Sequence, residues 1–240
     1  MIESSKNLSF EETILPVQPV NREYFEGGDE LLIKALAQIT CQFSASQNPS
    51  EEFNLQEAQG FTTELFASNP LSLQLLQMLI VLKKPKKVLE IGTFIGLSTM
   101  CMAKCLPEEG EIVTIEKFDY FCRIAEQNFQ NNGLTNKIKI IEGDALEELQ
   151  KLGSEKFDFI FVDGNKEKYK EYFELLDLHL AESGLFVVDD VLFHGDVLNE
   201  EPKTEKGRGV KKFLEYVKSR EDYIKILLPI RNGMMLMYKS

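Results

Sequence analysis

The sequence has 240 residues, of which 43% are hydrophobic, enough to bury the core of one large domain and too many for a disordered chain. Its 27 basic and 39 acidic residues give a formal net charge of −12, which disfavours nucleic acid and anionic membrane surfaces as partners. The longest apolar stretch, residues 71–82, is too short to span a bilayer, and the N-terminus lacks the features of a signal peptide. We therefore expect a soluble, cytoplasmic protein.

Two helices are predicted before the first strand. The apolar spacing from Gly28 to Phe43 is typical of a helix. Asn69 and Pro70 form a helix cap followed by a first-turn proline, so a second helix is predicted from Leu71 to Lys83. This second helix leads the chain into the first strand.

From residue 86 onward, apolar runs alternate with amphipathic segments. Strands are predicted at KKVLEIG, EIVTIE, KIKIIEGDA, EKFDFIFVDG and SGLFVVDDV. Helices are predicted at Ser98–Cys105, Tyr120–Asn131 and Glu167–Leu180. Strands this apolar, each followed by a helix, predict an α/β fold with a parallel sheet covered on both faces. The last two strands, YIKILLPI and GMMLMYK, flank an Asn-Gly turn, which predicts an antiparallel hairpin.

No linker rich in Gly, Ser or Pro divides the chain. The predicted organisation is one structural domain overall, with an N-terminal helical extension over residues 1–68 and a core over residues 69–240. The polar segment NEEPKTEKGRG, residues 199–209, is predicted to be a mobile loop beside the active site rather than a partner-binding motif.

The four cysteines do not predict a disulfide framework. Cys101 and Cys105 lie four residues apart on a predicted helix, a spacing that favours packing in the core over metal binding. With only two histidines in the chain, a zinc site of the usual nitrogen and sulfur type is improbable. A metal would have to be held mainly by oxygen atoms.

Every strand of the parallel set ends in a carboxylate. These residues are Glu90, Glu116, Asp144, Asp163, Asp189 and Asp190. A single such residue is often only a helix cap, but capping alone hardly explains all five strands. Because ligands bind outside the carboxyl ends of parallel strands, we expect these residues to line one ligand site.

The first of these strand ends leads into a glycine-containing turn, Glu90–Gly96. The turn lacks the GxGxxG fingerprint, and Glu90 would repel a pyrophosphate, so a positively charged cofactor suits it better than a dinucleotide. Glu116 is placed to accept the hydroxyls of a ribose. Asp144 and Ala145 are placed beside an adenine.

Asp163, Asp189 and Asp190 are predicted at the ends of two neighbouring strands. Carboxylates brought this close repel one another unless a proton or a cation intervenes. A hard divalent ion such as Mg²⁺ or Ca²⁺ prefers oxygen ligands. The alternative is that Asp189 or Asp190 merely opens the following loop.

The ordered motifs VLEIGTFIGLST, VTIEK, EGDA, FDFIFVDGNKEKY and VVDDVLFHG resemble those of the metal-dependent caffeoyl-coenzyme A and catechol O-methyltransferase family. The resemblance runs from about Leu71 to the C-terminus. It implies a Rossmann-like class I methyltransferase fold, with a mostly parallel seven-stranded sheet and a C-terminal antiparallel hairpin. It also implies S-adenosylmethionine as the cofactor.

The resemblance assigns roles by position. A first cofactor loop is implied at Gly92, Thr93, Phe94, Gly96 and Ser98, with Glu90 beneath it. Glu116 matches the ribose carboxylate, and Asp144 and Ala145 match the adenine contact. Asp163, Asp189 and Asp190 match the metal ligands, with Asp163 also at the cofactor. Lys166 matches the lysine that deprotonates the acceptor hydroxyl.

Four positions depart from the family pattern. Asp190 stands where asparagine is usual, which would add a negative charge to the metal site. Asn165 replaces a common aspartate, Phe193 a common tryptophan, and Asn232 an aspartate frequent in the last hairpin. Phe193 is expected to pack on an aromatic acceptor, with core filling as the alternative, and Asn165 is expected nearby.

The resulting hypothesis is methyl transfer to a catechol-like small molecule whose two oxygens chelate the metal. Ionising a phenol with a pKa of ~10 near neutrality requires about 4 kcal/mol, which a divalent cation can supply. Lys166 would take the proton as general base. The family also implies a homodimer.

Three alternatives stay open. A methyltransferase acting on a macromolecule is disfavoured because Asp163-Gly164-Asn165-Lys166 stands where amino-methylating enzymes carry an Asn/Asp-Pro-Pro-aromatic motif. A nicotinamide-dependent oxidoreductase lacks its pyrophosphate fingerprint here. A silent module that only binds the cofactor would not need the aspartates and Lys166 together.

Overall fold

The computed structural model describes residue 39, residues 49–61 and residues 69–240. The chain divides into two units, and the description below concerns the second, Ser44–Ser240. The helix predicted from Gly28 to Phe43 lies outside the described residues except for Ile39. The division into an extension and a core at residue 68 stays a prediction.

Seven strands form one sheet in the order β3-β2-β1-β4-β5-β7-β6. They are β1 (Lys87–Ile91), β2 (Glu111–Glu116), β3 (Ile138–Glu142), β4 (Phe157–Val162), β5 (Leu180–Val188), β6 (Tyr223–Leu228) and β7 (Met234–Lys239). Strands β1 to β5 pair in parallel, and β7 runs antiparallel between β5 and β6. The predicted fold class, a mostly parallel seven-stranded sheet with a C-terminal hairpin, is confirmed.

Helices cover both faces of the sheet. They are α1 (Pro70–Lys83), α2 (Leu97–Cys105), α3 (Asp119–Asn131), α4 (Ala145–Lys151), α5 (Tyr169–Leu176) and α6 (Glu205–Lys218). Alternate strand residues point to opposite faces, so Val88 packs in one core cluster with α1, α2 and α3, and Leu89 in a second with α5 and α6. Burial on both faces explains why the strands are apolar throughout.

Helix α1 begins as the sequence predicts. The Asn69 side chain accepts hydrogen bonds from the backbone N–H groups of Leu71 (2.8 Å) and Ser72 (3.1 Å). The helix ends at Lys83, and Lys84 takes a left-handed conformation with φ of 50°. Both ends agree with the predicted helix to within one residue.

The helix predicted from Glu167 to Leu180 is too long at its C-terminal end. A short 3₁₀ turn at Lys166–Lys168 precedes α5, which stops at Leu176. The apolar spacing continues past this point, but Phe157 donates a backbone hydrogen bond to His179 O (2.8 Å) and pairs with Leu180. Strand pairing with β4 therefore ends the helix before the periodicity does.

The loop predicted over residues 199–209 is wrong from Glu205 onward, because α6 begins there. Thr204 caps the helix by accepting from Gly207 N (2.9 Å). Asp196 orders the two residues just before α6, because it accepts hydrogen bonds from the backbone N–H groups of Lys203 (2.8 Å) and Thr204 (3.0 Å). These contacts with a residue outside the segment supply order that its polar composition does not suggest.

Residues 49–61 belong to the same unit and bind to one side of α3. The Asn128 side chain accepts from Gln56 N (2.6 Å) and donates to Gln56 O (3.2 Å). One helical turn later, Asn132 makes the same pair of bonds with the backbone of Asn54 (2.9 and 3.1 Å). The side-chain amides of Asn128 in α3 and of Asn132 at its C-cap thus bind this segment's backbone as a neighbouring strand would.

The described cysteines carry free thiols. Cys101 and Cys122 are buried and Cys105 is half-buried, so the prediction of core packing for Cys101 and Cys105 is confirmed. Burial raises the pKa of the Cys122 thiol to about 12. Within the described residues, no helix is both long and apolar enough to cross a membrane.

Candidate active site

A cavity of about 730 Å³ opens at the carboxyl ends of β1 to β5. It lies where the chain reverses direction across the sheet, between β1 and β4, which is the usual ligand position in such folds. The predicted site residues that line it are Gly92, Thr93, Phe94, Ser98, Glu116, Asp144, Ala145, Asp163, Asn165, Lys166, Asp189, Asp190 and Phe193. Glu90 and Gly96 do not line it.

The glycine turn after β1 forms the floor of this cavity. Gly92 has a φ of 96°, and a Cβ there would lie 2.5 Å from the backbone oxygen of Asp163. Only glycine allows the two strand ends to approach so closely. Gly96 occupies the N-cap of α2 with a φ of 87° and leaves no room for a Cβ beside Phe129. Gly92 therefore shapes the cavity directly, and Gly96 shapes it through α2.

Glu90 lies beneath the turn and is fully buried. Its carboxylate accepts hydrogen bonds from the hydroxyls of Ser98 (2.6 Å), Thr114 (2.7 Å) and Thr99. Burial raises its pKa to about 7. Glu90 thus fastens α2 and β2 beneath the cavity, and the expectation that it would line the site is not met.

Glu116 connects the loops that follow β1 and β2. Its Oε2 accepts from the backbone N–H groups of Phe94 (2.9 Å) and Thr93 (3.2 Å), and its Oε1 accepts from Phe118 N (3.0 Å). A carboxylate has about four acceptor positions, so Glu116 keeps capacity for further donors. It faces the cavity as predicted.

Asp144 has two partners at the end of β3. It caps α4 by accepting from Leu146 N (3.0 Å), and it forms an ion pair with Lys117 Nζ (2.9 Å). The side-chain hydrogen bond from Lys117 holds the pKa of Asp144 below its usual value. The capping role considered for a strand-end carboxylate is real here, and the residue also lines the cavity.

Lys166 and the aspartates meet at the ends of β4 and β5. Lys166 Nζ lies 2.5 Å from Asp163 Oδ1 and 3.1 Å from Asp190 Oδ2. Asp190 adopts a left-handed φ of 58° and donates its backbone N–H to Asp189 Oδ1 (2.8 Å). Tyr169, the first residue of α5, donates its hydroxyl to Asp189 O (2.9 Å).

The pKa values in this cluster reflect competing causes. Burial raises the pKa of both Asp163 and Asp189, and the charge of Asp190 raises them further. Burial alone would lower the pKa of Lys166, but the charges of Asp163 and Asp190 outweigh it and hold that pKa well above its ordinary value. In this arrangement Lys166 is an ammonium and cannot accept a proton, which opposes the expected role of general base.

The donors fit a divalent cation in their chemistry. Asp163, Asp189 and Asp190 supply the carboxylate oxygens that hard ions prefer as ligands. A bound cation would offset the repulsion among their negative charges. In the described part of the chain, however, no three Asp, Glu, His or Cys side chains converge as a metal site. The Lys166 ammonium instead bridges two of the three aspartates.

The loops after β4 and β5 form the end of the cavity where an acceptor is expected. Phe193 is half-buried, packs on the core and contacts the His194 ring edge-on (centroids 5.3 Å apart). Both residues have positive φ angles. Asn165 caps the 3₁₀ turn by accepting from Glu167 N (3.2 Å). Phe193 therefore combines the core and cavity positions that were considered as alternatives.

Sequence reasoning missed several cavity residues. Lys117, Phe118, Phe121, Lys206 and Arg231 all line the cavity. Lys117 and Phe118 directly follow Glu116, so their position after a strand end was a usable signal. Lys206 and Arg231 lie far away in sequence and reach the site only through tertiary packing.

Comparison with known proteins agrees with this geometry. A family model described as O-methyltransferase matches residues 45–240. The chain belongs to the O-methyltransferase family. The resemblance drawn from the sequence motifs is therefore confirmed.

Relatives and solved structures support this membership. The chain is 37% identical to a catechol O-methyltransferase of Niastella koreensis over 58% of its own length and 64% of that protein. It is 32% identical to a caffeoyl-CoA O-methyltransferase of Populus kitakamiensis, over 66% and 72% of the two chains. The crystal structure of the O-methyltransferase TomG from Streptomyces achromogenes, in complex with SAM, superposes with a TM-score of 0.68 at 28% identity, over 91% and 93% of the two chains.

Membership narrows the alternatives. An O-methyltransferase is not a nicotinamide-dependent oxidoreductase, and the turn after β1 of this methyltransferase lacks the dinucleotide fingerprint. Family membership does not name the acceptor, so the acceptor is inferred below from the lining and the charges of the cavity.

Proposed function

We propose that the protein transfers a methyl group from S-adenosylmethionine to a hydroxyl of a catechol-like small molecule, with Asp163, Asp189 and Asp190 holding a divalent cation. The observation that carries the proposal is that Asp163, Asp189, Asp190 and Lys166 line one cavity with the glycine turn after β1. Catechol and caffeoyl-CoA O-methyltransferases among the relatives, and the SAM in the TomG complex, support the choice of substrates.

The cofactor end of the cavity suits an adenosyl group with a positively charged sulfur. Glu116 is fixed by three backbone amides and is assigned the ribose hydroxyls. Asp144 and Ala145 are assigned the adenine. Gly92 allows the ends of β1 and β4 to lie against each other, and it lines the cavity near the negative charges of the aspartates.

When bound, S-adenosylmethionine supplies an electrophilic methyl group, and a divalent cation lowers the pKa of a phenol that chelates it. The side chains of the protein position the reactants. Asp163, Asp189 and Asp190 orient the vicinal oxygens of the acceptor, and Phe193 packs against its ring. Holding oxygen and methyl carbon in reacting geometry supplies much of the rate enhancement.

Lys166 Nζ is assigned the proton of the acceptor hydroxyl. It can accept this proton only as a neutral amine. A cation held by Asp163, Asp189 and Asp190 would offset the negative charges that raise the pKa of Lys166, and the ammonium would release its own proton to solvent before the acceptor reacts. The proton then passes from the phenol to Lys166 Nζ, the phenolate oxygen forms a bond with the methyl carbon, and the bond from that carbon to sulfur breaks. The products are the methyl ether and S-adenosylhomocysteine.

The test is transfer of a radiolabelled methyl group to 4-methylcatechol, with and without EDTA and with Mg²⁺ or Ca²⁺ restored. Asp163→Asn removes a proposed ligand, and we expect methyl transfer to fall by at least a hundredfold, since one ligand and one charge are lost. Glu167→Gln, an exposed carboxylate beside the same turn, is the matched control and should retain activity.

Unchanged methyl transfer in Asp163→Asn, or after chelation, would refute the metal in this proposal. Activity with phenol equal to that with 4-methylcatechol would refute the requirement for vicinal oxygens. Lys166→Met separates the base from the metal, because we expect it to abolish turnover while Mg²⁺ still binds, as measured by calorimetry.

A further inference from the structure

The charges that line the cavity differ from those of the chain as a whole. The lining contains five acidic residues, Glu116, Asp144, Asp163, Asp189 and Asp190, and five basic residues, Lys117, Lys166, Lys168, Lys206 and Arg231. The formal balance is therefore zero, against −12 for the whole chain. The cavity lining therefore carries a larger share of basic residues than the chain as a whole.

Ion pairs with carboxylates hold Lys117, Lys166 and Lys168 of this set. Lys117 pairs with Asp144, Lys166 with Asp163 and Asp190, and Lys168 with Glu171 at 3.5 Å. Lys206, by contrast, makes neither a hydrogen bond nor an ion pair with any residue that the structure describes. Arg231 is close enough to Asp163 for their charges to attract, which places it at the acceptor end.

The loop that carries Phe193 holds the first turn of α6, on which the exposed Lys206 lies. Asp196 accepts hydrogen bonds from Lys203 N, Thr204 N and Thr204 Oγ1 (2.7 Å) immediately before α6. Gly209 lies three residues after Lys206 and packs closely on the loop of Lys166. A Cβ on Gly209 would lie 2.5 Å from the backbone oxygen of Lys166. The first turn of α6, with Lys206 on it, is therefore packed between the acceptor loop and the loop of Lys166.

Arg231 is held in place in a similar way from the other side. It lies in the turn between β6 and β7 with a φ of 50°. The backbone of this turn accepts from Val191 N (3.0 Å, to Gly233 O) and Leu192 N (2.6 Å, to Asn232 O). The turn is thus bonded to the residues that directly follow Asp190.

We propose that Lys206 and Arg231 form a specificity site for a carboxylate on the acceptor, so that the natural acceptor is an aromatic acid with vicinal hydroxyls. Two cations from separate elements, each fastened to the acceptor loop, can meet the two oxygens of one carboxylate. They also offset the repulsion that an anionic acceptor meets from the three aspartates. This inference rests on the proposed function, because it names the substrate class of the same site.

The test compares 3,4-dihydroxybenzoate with 3,4-dihydroxybenzamide, which has nearly the same shape and no charge. We expect kcat/KM for the acid to exceed that for the amide by about a hundredfold. Arg231→Gln and Lys206→Gln should each lower kcat/KM for the acid by about tenfold, chiefly through KM, as expected for one charge-assisted hydrogen bond. Lys206→Gln should leave kcat/KM for the amide unchanged. Arg231→Gln should lower it less than it lowers kcat/KM for the acid, because Arg231 also attracts Asp163, and Arg231→Lys should restore part of the preference.

Lys212→Gln is the matched control, because it removes the same charge from an exposed position of the same helix outside the cavity. It should leave both substrates unaffected. The dissociation constant of 3,4-dihydroxybenzoate, measured by calorimetry in the presence of S-adenosylhomocysteine, gives a readout that does not depend on turnover. We expect it to rise about tenfold in Arg231→Gln.

The possible failures can be told apart. Equal kcat/KM for acid and amide in the native protein and in both variants would overturn this inference and leave the proposed function standing. The inference would also be overturned if Lys206→Gln and Arg231→Gln lowered kcat/KM only for a coenzyme A thioester of a dihydroxycinnamate. In that case Lys206 and Arg231 would bind the phosphates of coenzyme A and not a carboxylate on the acceptor. Methylation of none of these catechols would overturn the proposed function, and this inference with it.

Discussion

At the scale of single residues, Glu90 stands apart from the other strand-end carboxylates. Its neighbours donate three hydroxyl hydrogen bonds to it, yet burial still raises its pKa to about 7. A residue this buried supports the floor of the cavity, and its role toward the cofactor stays a prediction. Its titration should therefore be visible in the folding equilibrium.

The raised pKa gives stability a defined pH dependence. Between 4.5, the ordinary pKa, and about 7, the folded protein holds a proton that the unfolded chain has lost. The free energy of unfolding should therefore fall by roughly 3 kcal/mol across this window and level off above it. We expect Glu90→Gln to remove this contribution, as measured by urea unfolding at pH 5 and pH 8.

Glu142→Gln serves as the control, because Glu142 is exposed at the end of β3. It should retain the pH dependence of the native protein. If Glu90→Gln and the native protein lose the same stability between pH 5 and pH 8, Glu90 is not the group that titrates.

At the scale of elements, the start of α6 depends on Asp196. The backbone N–H of Lys203, followed by the hydroxyl of Thr204, holds the pKa of Asp196 well below its usual range. The stabilising charge is therefore present above the ordinary pKa of 3.8 and is lost only as the pH falls below it. The first turn of α6 should stay anchored throughout the neutral range.

Removing this anchor should loosen one helix end and leave the sheet intact. In Asp196→Ala, we expect faster amide hydrogen exchange at Lys203 and Thr204, whose N–H groups lose their acceptor. The amides of β1 and β4 should keep their protection. KM for the acceptor should rise, because α6 carries Lys206, and kcat should change less. Unchanged exchange at Thr204 would contradict the anchoring role.

Element boundaries show how far the sequence could be interpreted. Strand-end carboxylates could be assigned to one site because parallel strands bring their carboxyl ends to one edge, and the Asn69 cap is a local signal. The start of α6 could not be predicted, because Asp196 and the packing of Gly209 on Lys166 are tertiary contacts. The pairing of Lys166 with Asp190 likewise depends on the left-handed backbone of Asp190, which its residue type alone does not specify.

At the scale of the whole molecule, the proposed cofactor should be measurable as a change in stability. A ligand at about one hundred times its dissociation constant stabilises the folded state by about 2.7 kcal/mol. For a domain of this size, that corresponds to a rise in Tm of roughly 5–10 °C. We expect S-adenosylhomocysteine to produce such a shift and NADH to produce none, as measured by thermal denaturation.

Glu116→Ala provides a control for the location of binding. It should weaken the shift caused by S-adenosylhomocysteine, because it removes the carboxylate proposed to bind the ribose. Stabilisation by NADH and not by the adenosyl compound would contradict the assignment of the cavity.

The strand order has a consequence for the way the protein is made. Strand β7 lies between β5 and β6 and follows both in the chain, and the turn before it is bonded to the loop after β5. During synthesis, β1 to β5 can pair as soon as they emerge, but the gap beside β5 stays open until residues 234–239 leave the ribosome. The nascent chain therefore exposes the edge of β5 until β7 has emerged, and the proposed acceptor pocket is completed only when the turn before β7 can bond to the loop after β5.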